Sequence, residues 1–319
     1  MDRSIGPRIN GLKLPLVGTR TKGNLLMLGA SMIWGFAFVG QKTGAEFVGP
    51  LTFNAIRFAM GTLVLVVVIF AVNLVRKVPR AKDAKLWRKA LLPGMLAGLI
   101  LATAGGMQQA AMATTSAGKA AFLTGFYMVL VPIVGLFWGR KPSWKIALGV
   151  VLGFAGLYFL CIKGDFSIEP GDALLLATSI FWTAHILIID HFVPKLSALR
   201  FSAVQFATTA VLSAFAAFVL DPHPFTGMEH AWGALAYTGF VSVGIAYTLQ
   251  VLGQRYALPS HAALILSMES LFGAIGGALF LAENLGARGY LGAALLVAGV
   301  VVSQLGEASD ESVSVESLA

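Results

Sequence analysis

Charge is scarce in this chain. Only 12% of its 319 residues are Asp, Glu, Lys or Arg and 57% are apolar, whereas a soluble domain carries about 25% charged residues. That balance excludes a water-soluble domain of ordinary composition. Cysteine is nearly absent as well: Cys161 is alone and lies inside an apolar run, which excludes an intrachain disulfide framework and a cysteine-based metal cluster. No H-E-x-x-H helix occurs, and no Ser-His pair on adjacent apolar runs announces an intramembrane hydrolase. The nearest approach to a phosphate-binding loop, G-F-A-F-V-G-Q-K-T at 35–43, has one residue too many before its lysine and sits in an apolar run, so ATP-driven work is not expected. The sequence therefore predicts no enzyme, no cofactor and no metal site.

What the chain has in abundance is long apolar runs. A helix needs about 20 predominantly apolar residues to cross roughly 30 Å of hydrocarbon. Runs bounded by charge, Pro and Gly predict ten such spans, at 23–42, 51–74, 90–112, 115–138, 143–162, 170–190, 198–220, 231–253, 258–282 and 286–305. The net charge of +8 does not point to nucleic acid, because the basic residues lie between apolar runs instead of gathering on one exposed face. They report orientation, since cytoplasmic segments retain positive charge. With the N-terminus inside, 18 Lys and Arg fall on the cytoplasmic side, seven of them between Arg76 and Lys89, and three fall outside: Lys42, Lys163 and Arg288. Arg57 and Lys119 lie within spans. Both termini are predicted to be cytoplasmic in an inner (plasma) membrane. Residues 1–22 form a basic cytoplasmic segment, and the run behind them reads as a retained first helix, without the small-residue pattern of a cleaved signal. The Ser-rich, acidic tail at 306–319 lacks the apolar residues to order itself and is predicted to be disordered.

The spans repeat. Sliding the sequence against itself by 148 residues lays Ser31-Met32-Ile33-Trp34 on Ser179-Ile180-Phe181-Trp182, and L-T-F-N-A-I-R-F-A from Leu51 on L-R-F-S-A-V-Q-F-A from Leu199, pairing Arg57 with Gln205. Further along, an offset of 143 lays Leu136-Phe137 on Leu279-Phe280 and Gly156 on Gly299. Two units follow, 23–162 and 170–305. Each holds five spans, an odd number, so the second must enter the membrane in the opposite sense. Inverted repeats recur in secondary transporters, with the substrate site near the midplane between them. The fold class is an all-α integral membrane protein of ten transmembrane helices in two inverted five-helix repeats.

At this level the chain resembles the EamA-type branch of the drug/metabolite transporter superfamily. The resemblance rests on S-M-I-W-G at 31–35 with Pro50 and Arg57 following, T-S-A-G-K-A-A-F-L at 115–123 with Pro132, and L-F-L-A-E-N at 279–284 followed by L-G-A-A-L-L-V-A-G-V at 291–300. It implies a basket in which helices 1–4 and 6–9 surround a cavity while 5 and 10 are peripheral. It also implies export of small solutes, commonly amino acids or related metabolites. One departure concerns the ninth helix, where the family usually carries Glu-Pro and this chain carries Glu269-Ser270. The kink a proline would impose is not expected here.

Polar residues inside spans are the candidates for substrate binding. A carboxylate at the middle of the ninth span, Glu269, costs about 2.5–3.5 kcal/mol on insertion scales. Either it faces a wet cavity and takes a proton or a substrate ammonium, or it is a protonated acid bonded to a neighbouring helix. Lys119 shares a helical face with Thr115, Phe122 and Phe126 by three-to-four spacing. That arrangement suits a carboxylate on an apolar body, and it equally suits a lysine that snorkels to the interface. Arg57 is too deep for easy snorkelling and is either structural or a substrate contact. Trp34 and Trp182, related by the repeat, lie near midspan and not at headgroup depth, as cavity walls or as packing. Gln108, Gln109, His185, Gln205 and Gln250 can line the same space or bond across helices. The resulting expectation is a secondary transporter with a small-molecule substrate in a lipid bilayer, exporting amino acids or related metabolites by alternating access. Glu269 would take the proton or ammonium and Lys119 the anionic group. Drug efflux and a non-transporting scaffold are the alternatives, no nucleic-acid partner is expected, and a homodimer is compatible with the reading.

Overall fold

The computed structural model describes residues 16–115, 117–140, 142–162, 170–280 and 285–316. Among these residues every regular element is helical. Hydrocarbon offers no partner to a backbone N–H or C=O, so each crossing segment must satisfy its own, and a helix does that. Ten helices are long and apolar enough to span: α1 (Arg20–Gly44), α2 (Pro50–Val75), α3 (Arg80–Ala111), α4 (Gly118–Phe137), α5 (Trp144–Cys161), α6 (Pro170–Lys195), α7 (Ala198–Leu220), α8 (Trp232–Tyr256), α9 (Pro259–Phe280) and α10 (Gly286–Leu305). Large apolar side chains such as Phe70, Phe137 and Phe215 are exposed, while Asn54, Gln109, His185 and Gln205 are fully buried. This is the distribution of a molecule whose solvent is lipid.

Boundaries depart most from the sequence expectation at α3 and α10. Helix α3 begins at Arg80, before its apolar run, because Arg80, Lys82, Lys85 and Lys89 extend into water a helix that the membrane has already nucleated. The helix containing α10 continues to Glu316, so the backbone of the acidic segment is helical up to that residue where composition predicts disorder. The last three residues and residues 1–15 of the basic N-terminal segment lie outside the described residues.

Small residues set the helix spacing. Helices α5 and α10, equivalent members of the two repeats, lie so close that a Cβ on Gly156 would come within 2.7 Å of the Gly292 carbonyl oxygen. Close backbone approach of this kind gives van der Waals packing where no hydrophobic force acts between helices. Helix α1 meets α9 in the same way at Gly35.

Two spans are discontinuous. Helix α4 is built from Ala117–Thr124 and Tyr127–Phe137, and α9 from Pro259–Leu266 and Glu269–Phe280. In α4 the Phe126 N–H reaches the Leu123 carbonyl and the Met128 N–H reaches that of Gly125; in α9 Met268 reaches Ile265 and Ser270 reaches Ser267. These three-residue bonds tighten one turn to 3₁₀ geometry, at equivalent places in the two repeats. The ninth helix is thus interrupted without a proline. The Ser267 hydroxyl donates to the Leu264 carbonyl at 2.7 Å, a local side-chain bond that competes with the helical ladder.

Candidate functional site

The breaks in α4 and α9 place two residues face to face. Tyr127 and Glu269 are the first residues of their second half-helices, and the Tyr127 hydroxyl donates to Glu269 Oε1 at 3.2 Å. A carboxylate in the first turn of a helix is favoured by the positive end of the helix dipole, which offsets part of the insertion cost of Glu269. The side chain is 7% exposed and opens onto a central cavity of about 40 Å³. Both repeats contribute: Trp34, Phe38 and Gln41 from α1, Arg57 from α2, Gln108 from α3 and Thr124 and Tyr127 from α4 meet Trp182 and Ile186 from α6, Ser242, Tyr247 and Gln250 from α8, and Leu266 and Glu269 from α9. Helix α8 enters this wall in π-helical form over Tyr237–Tyr247, an irregularity that recurs at functional positions.

The walls are aromatic, and several of the polar groups are tied to one another. The Trp34 and Tyr247 rings meet edge-on with centroids 4.6 Å apart, and Tyr247 stacks at 6.3 Å on Trp182. The Trp182 Nε1–H donates to Gln108 Oε1 at 3.0 Å, and Gln108 Nε2 donates to Gln41 Oε1 at 3.3 Å, a relay joining α6, α3 and α1. Arg57 donates from Nε and Nη2 to Asn54 Oδ1 at 3.0 and 2.8 Å, and Asn54 donates to Ser213 Oγ at 2.8 Å. The same guanidinium lies 5.0 Å from the Phe58 ring centre, a cation–π contact. Trp34 Nε1, Thr124 Oγ1 and Gln250 Oε1 of the lining are buried with no hydrogen-bond partner among the described residues; such atoms are uncommon in folded interiors.

Of the predicted binding residues, the structure brings Glu269, Trp34, Trp182, Gln108 and Arg57 to one cavity and puts the others elsewhere. Lys119 pairs with Asp172 of α6, to which the Thr115 hydroxyl also donates at 3.3 Å. An ion pair with a protein carboxylate replaces the substrate carboxylate expected of it. Phe122 and Phe126 turn toward α5, each 5.5 Å from Phe154, on a different side of the helix from the cavity-lining Thr124 and Tyr127. His185 is fully buried behind the wall, with Nε2 and Gln205 Oε1 3.0 Å apart and its ring against Trp182 and Tyr247. Sequence reasoning passed over Tyr127, Tyr247, Gln41, Ser242 and Asp172. Tyr127 carried a signal, since it lies 142 residues from Glu269, close to the repeat offset. Nothing in an apolar run distinguishes Tyr247.

An inverted pair of five-helix units enclosing a polar cavity is a transporter architecture, and the comparison with known families decides which. The EamA-like transporter family model matches the chain twice, over residues 21–162 and 169–304. The chain belongs to the EamA-like transporter family. A protein from Archaeoglobus fulgidus described as an uncharacterized transporter is 28% identical over 277 residues, covering 86% of this chain and 83% of its own. The Bacillus subtilis uncharacterized transporter YoaV is 22% identical over 285 residues, covering 87% and 94%. A crystal structure 19% identical in sequence superposes with a TM-score of 0.71 over 89% of this chain and 97% of its own, which speaks to the fold alone. The protein is therefore a multi-pass membrane transporter of small molecules and not an enzyme.

Proposed function

We propose that this EamA-family protein exports amino acids or related zwitterionic metabolites across the plasma membrane by alternating access, with both termini in the cytoplasm and Glu269 as the proton- and ammonium-binding group. The observation that carries the reading is that one carboxylate, Glu269, and one guanidinium, Arg57, line a single aromatic-walled cavity formed by both repeats. A zwitterion presents the complementary pair of charges. Asn54 occupies the Nε and Nη2 edge of Arg57, leaving Nη1 for a substrate carboxylate, the role that Lys119 was expected to fill.

Alternating access is supported by the closed state of the seam between α4 and α6, where the repeats meet. Lys119–Asp172 ties the seam toward one end and Arg140–Asp190 toward the other. A cavity of about 40 Å³ accommodates a few waters at roughly 10–15 Å³ each, so an amino acid requires one end to open. The imbalance of 18 basic residues to three supports the orientation.

The test is counterflow in proteoliposomes loaded with a mixed pool of amino acids and metabolites, including a lipophilic aromatic cation. Saturable exchange of amino acids that is lost in both Arg57→Lys and Glu269→Gln is the expected outcome. Exchange confined to the cation, and insensitive to Arg57→Lys, would move the function to drug efflux. Exchange of neither class would overturn the proposal.

A further inference from the structure

A second concavity lies on the outside of the bundle, far from the polar cavity in character. It runs along the seam of α4 and α6, with a volume of about 550 Å³, and its walls are Leu130 and Val134 on one side and Ile180, Ala184 and Leu187 on the other. Ile180 is 61% exposed, so the groove opens to whatever surrounds the helices. From Ile180 to His191, which ends the groove, a helix rises about 16 Å. That is close to half the roughly 30 Å hydrocarbon thickness, the depth of one leaflet.

The end of the groove is different chemistry. Arg140 and Trp138 line it beside His191, and Trp138 is 69% exposed, as aromatic residues are at headgroup level. Arg140 Nη2 donates to Asp190 Oδ2 at 2.6 Å, the side chain is 40% exposed, and its Nη1 has no hydrogen-bond partner among the described residues. A guanidinium nitrogen lacking an acceptor has a donor to spare, and a phosphate oxygen is an acceptor its planar fork matches.

We propose that this groove is a binding site for an anionic phospholipid. One acyl chain lies between α4 and α6 from Ile180 outward, and the phosphate is held by the guanidinium of Arg140 with the Trp138 indole at headgroup depth. The lipid would bridge the two repeats beside the Arg140–Asp190 pair, and so bias whether that end of the seam opens.

The experiment is thermal unfolding of the full chain in detergent, titrated separately with phosphatidylglycerol, phosphatidylcholine and glycerol 3-phosphate. Phosphatidylglycerol is expected to raise the midpoint on the order of 4 °C at saturating lipid, phosphatidylcholine clearly less, and glycerol 3-phosphate not at all. Arg140→Gln should abolish the difference between the two lipids. Asp190→Asn breaks the same ion pair but keeps the guanidinium, so it should retain the difference, which separates lipid binding from simple loss of the pair. Ala184→Trp, which fills the groove, should remove the response to both lipids. Equal shifts with the two lipids in the wild type, an undiminished preference in Arg140→Gln, or a shift reproduced by glycerol 3-phosphate would each overturn the site.

Discussion

The chemistry of the cavity comes down to few groups, and each can be removed singly. Glu269→Gln keeps the shape and the bond from Tyr127 but cannot carry a proton. It is expected to abolish accumulation driven by a pH gradient, and accumulation equal to wild type would remove Glu269 from the coupling mechanism. Tyr127→Phe deletes the donor at 3.2 Å from Glu269. A hydrogen bond to a charged group contributes about 1.5–3 kcal/mol, so apparent substrate affinity in the counterflow assay should weaken by roughly ten- to one-hundred-fold. Arg57→Lys keeps the charge but loses the planar fork that holds Asn54. These residues were visible in the sequence to different degrees: Glu269 and Arg57 stood out because charge in an apolar run is expensive, while Tyr247 contributes to the wall from a run with no such mark.

At the level of elements, the site depends on where helices start and how closely they pass. The N-terminus of α2 is capped from across the molecule: the Thr52 N–H donates to Asp221 Oδ2 at 2.7 Å, and Asp221 comes from the end of α7. Asp221→Ala should cost about 1 kcal/mol of stability, read as a lowered unfolding midpoint; an unchanged midpoint would show that the cap is idle. Gly35 of α1 is the tighter constraint. A Cβ there would lie 2.6 Å from both the Glu269 carbonyl oxygen and the Gly273 nitrogen, both backbone atoms that cannot swing aside. Gly35→Ala is expected to displace α1 from the break in α9, costing about 1–3 kcal/mol and most of the transport activity. Wild-type transport and midpoint together would show that the α1–α9 contact is looser than this geometry.

For the whole molecule, the imbalance of 18 basic residues to three predicts a definite sidedness. Cys161 is the chain's single cysteine, so Cys161→Ala provides a background in which one new thiol reports its side. With a membrane-impermeant maleimide applied to intact cells, Phe225→Cys in the loop between α7 and α8 should label directly, and Lys77→Cys between α2 and α3 only after permeabilisation. The reverse pattern would invert the orientation and with it the direction assigned to export.

Much of this protein was legible without coordinates. Ten crossings, their alternation and the two-repeat plan follow from run length, since hydrocarbon thickness sets a minimum length for every helix and the repeat leaves Trp34 over Trp182. The cost of burying charge singled out Glu269 and Arg57 by the same kind of local reasoning. What only the tertiary structure decided is partnership. Lys119 read equally as a substrate ligand or an interfacial side chain until Asp172, from the other repeat, was found beside it. The helix break before Glu269 occurs without a proline, at the place equivalent to the break in α4. Period and composition specify how far each helix reaches into lipid, but which face meets which neighbour depends on packing between segments distant in the chain, and in lipid that choice rests on close fit instead of on hydrophobicity.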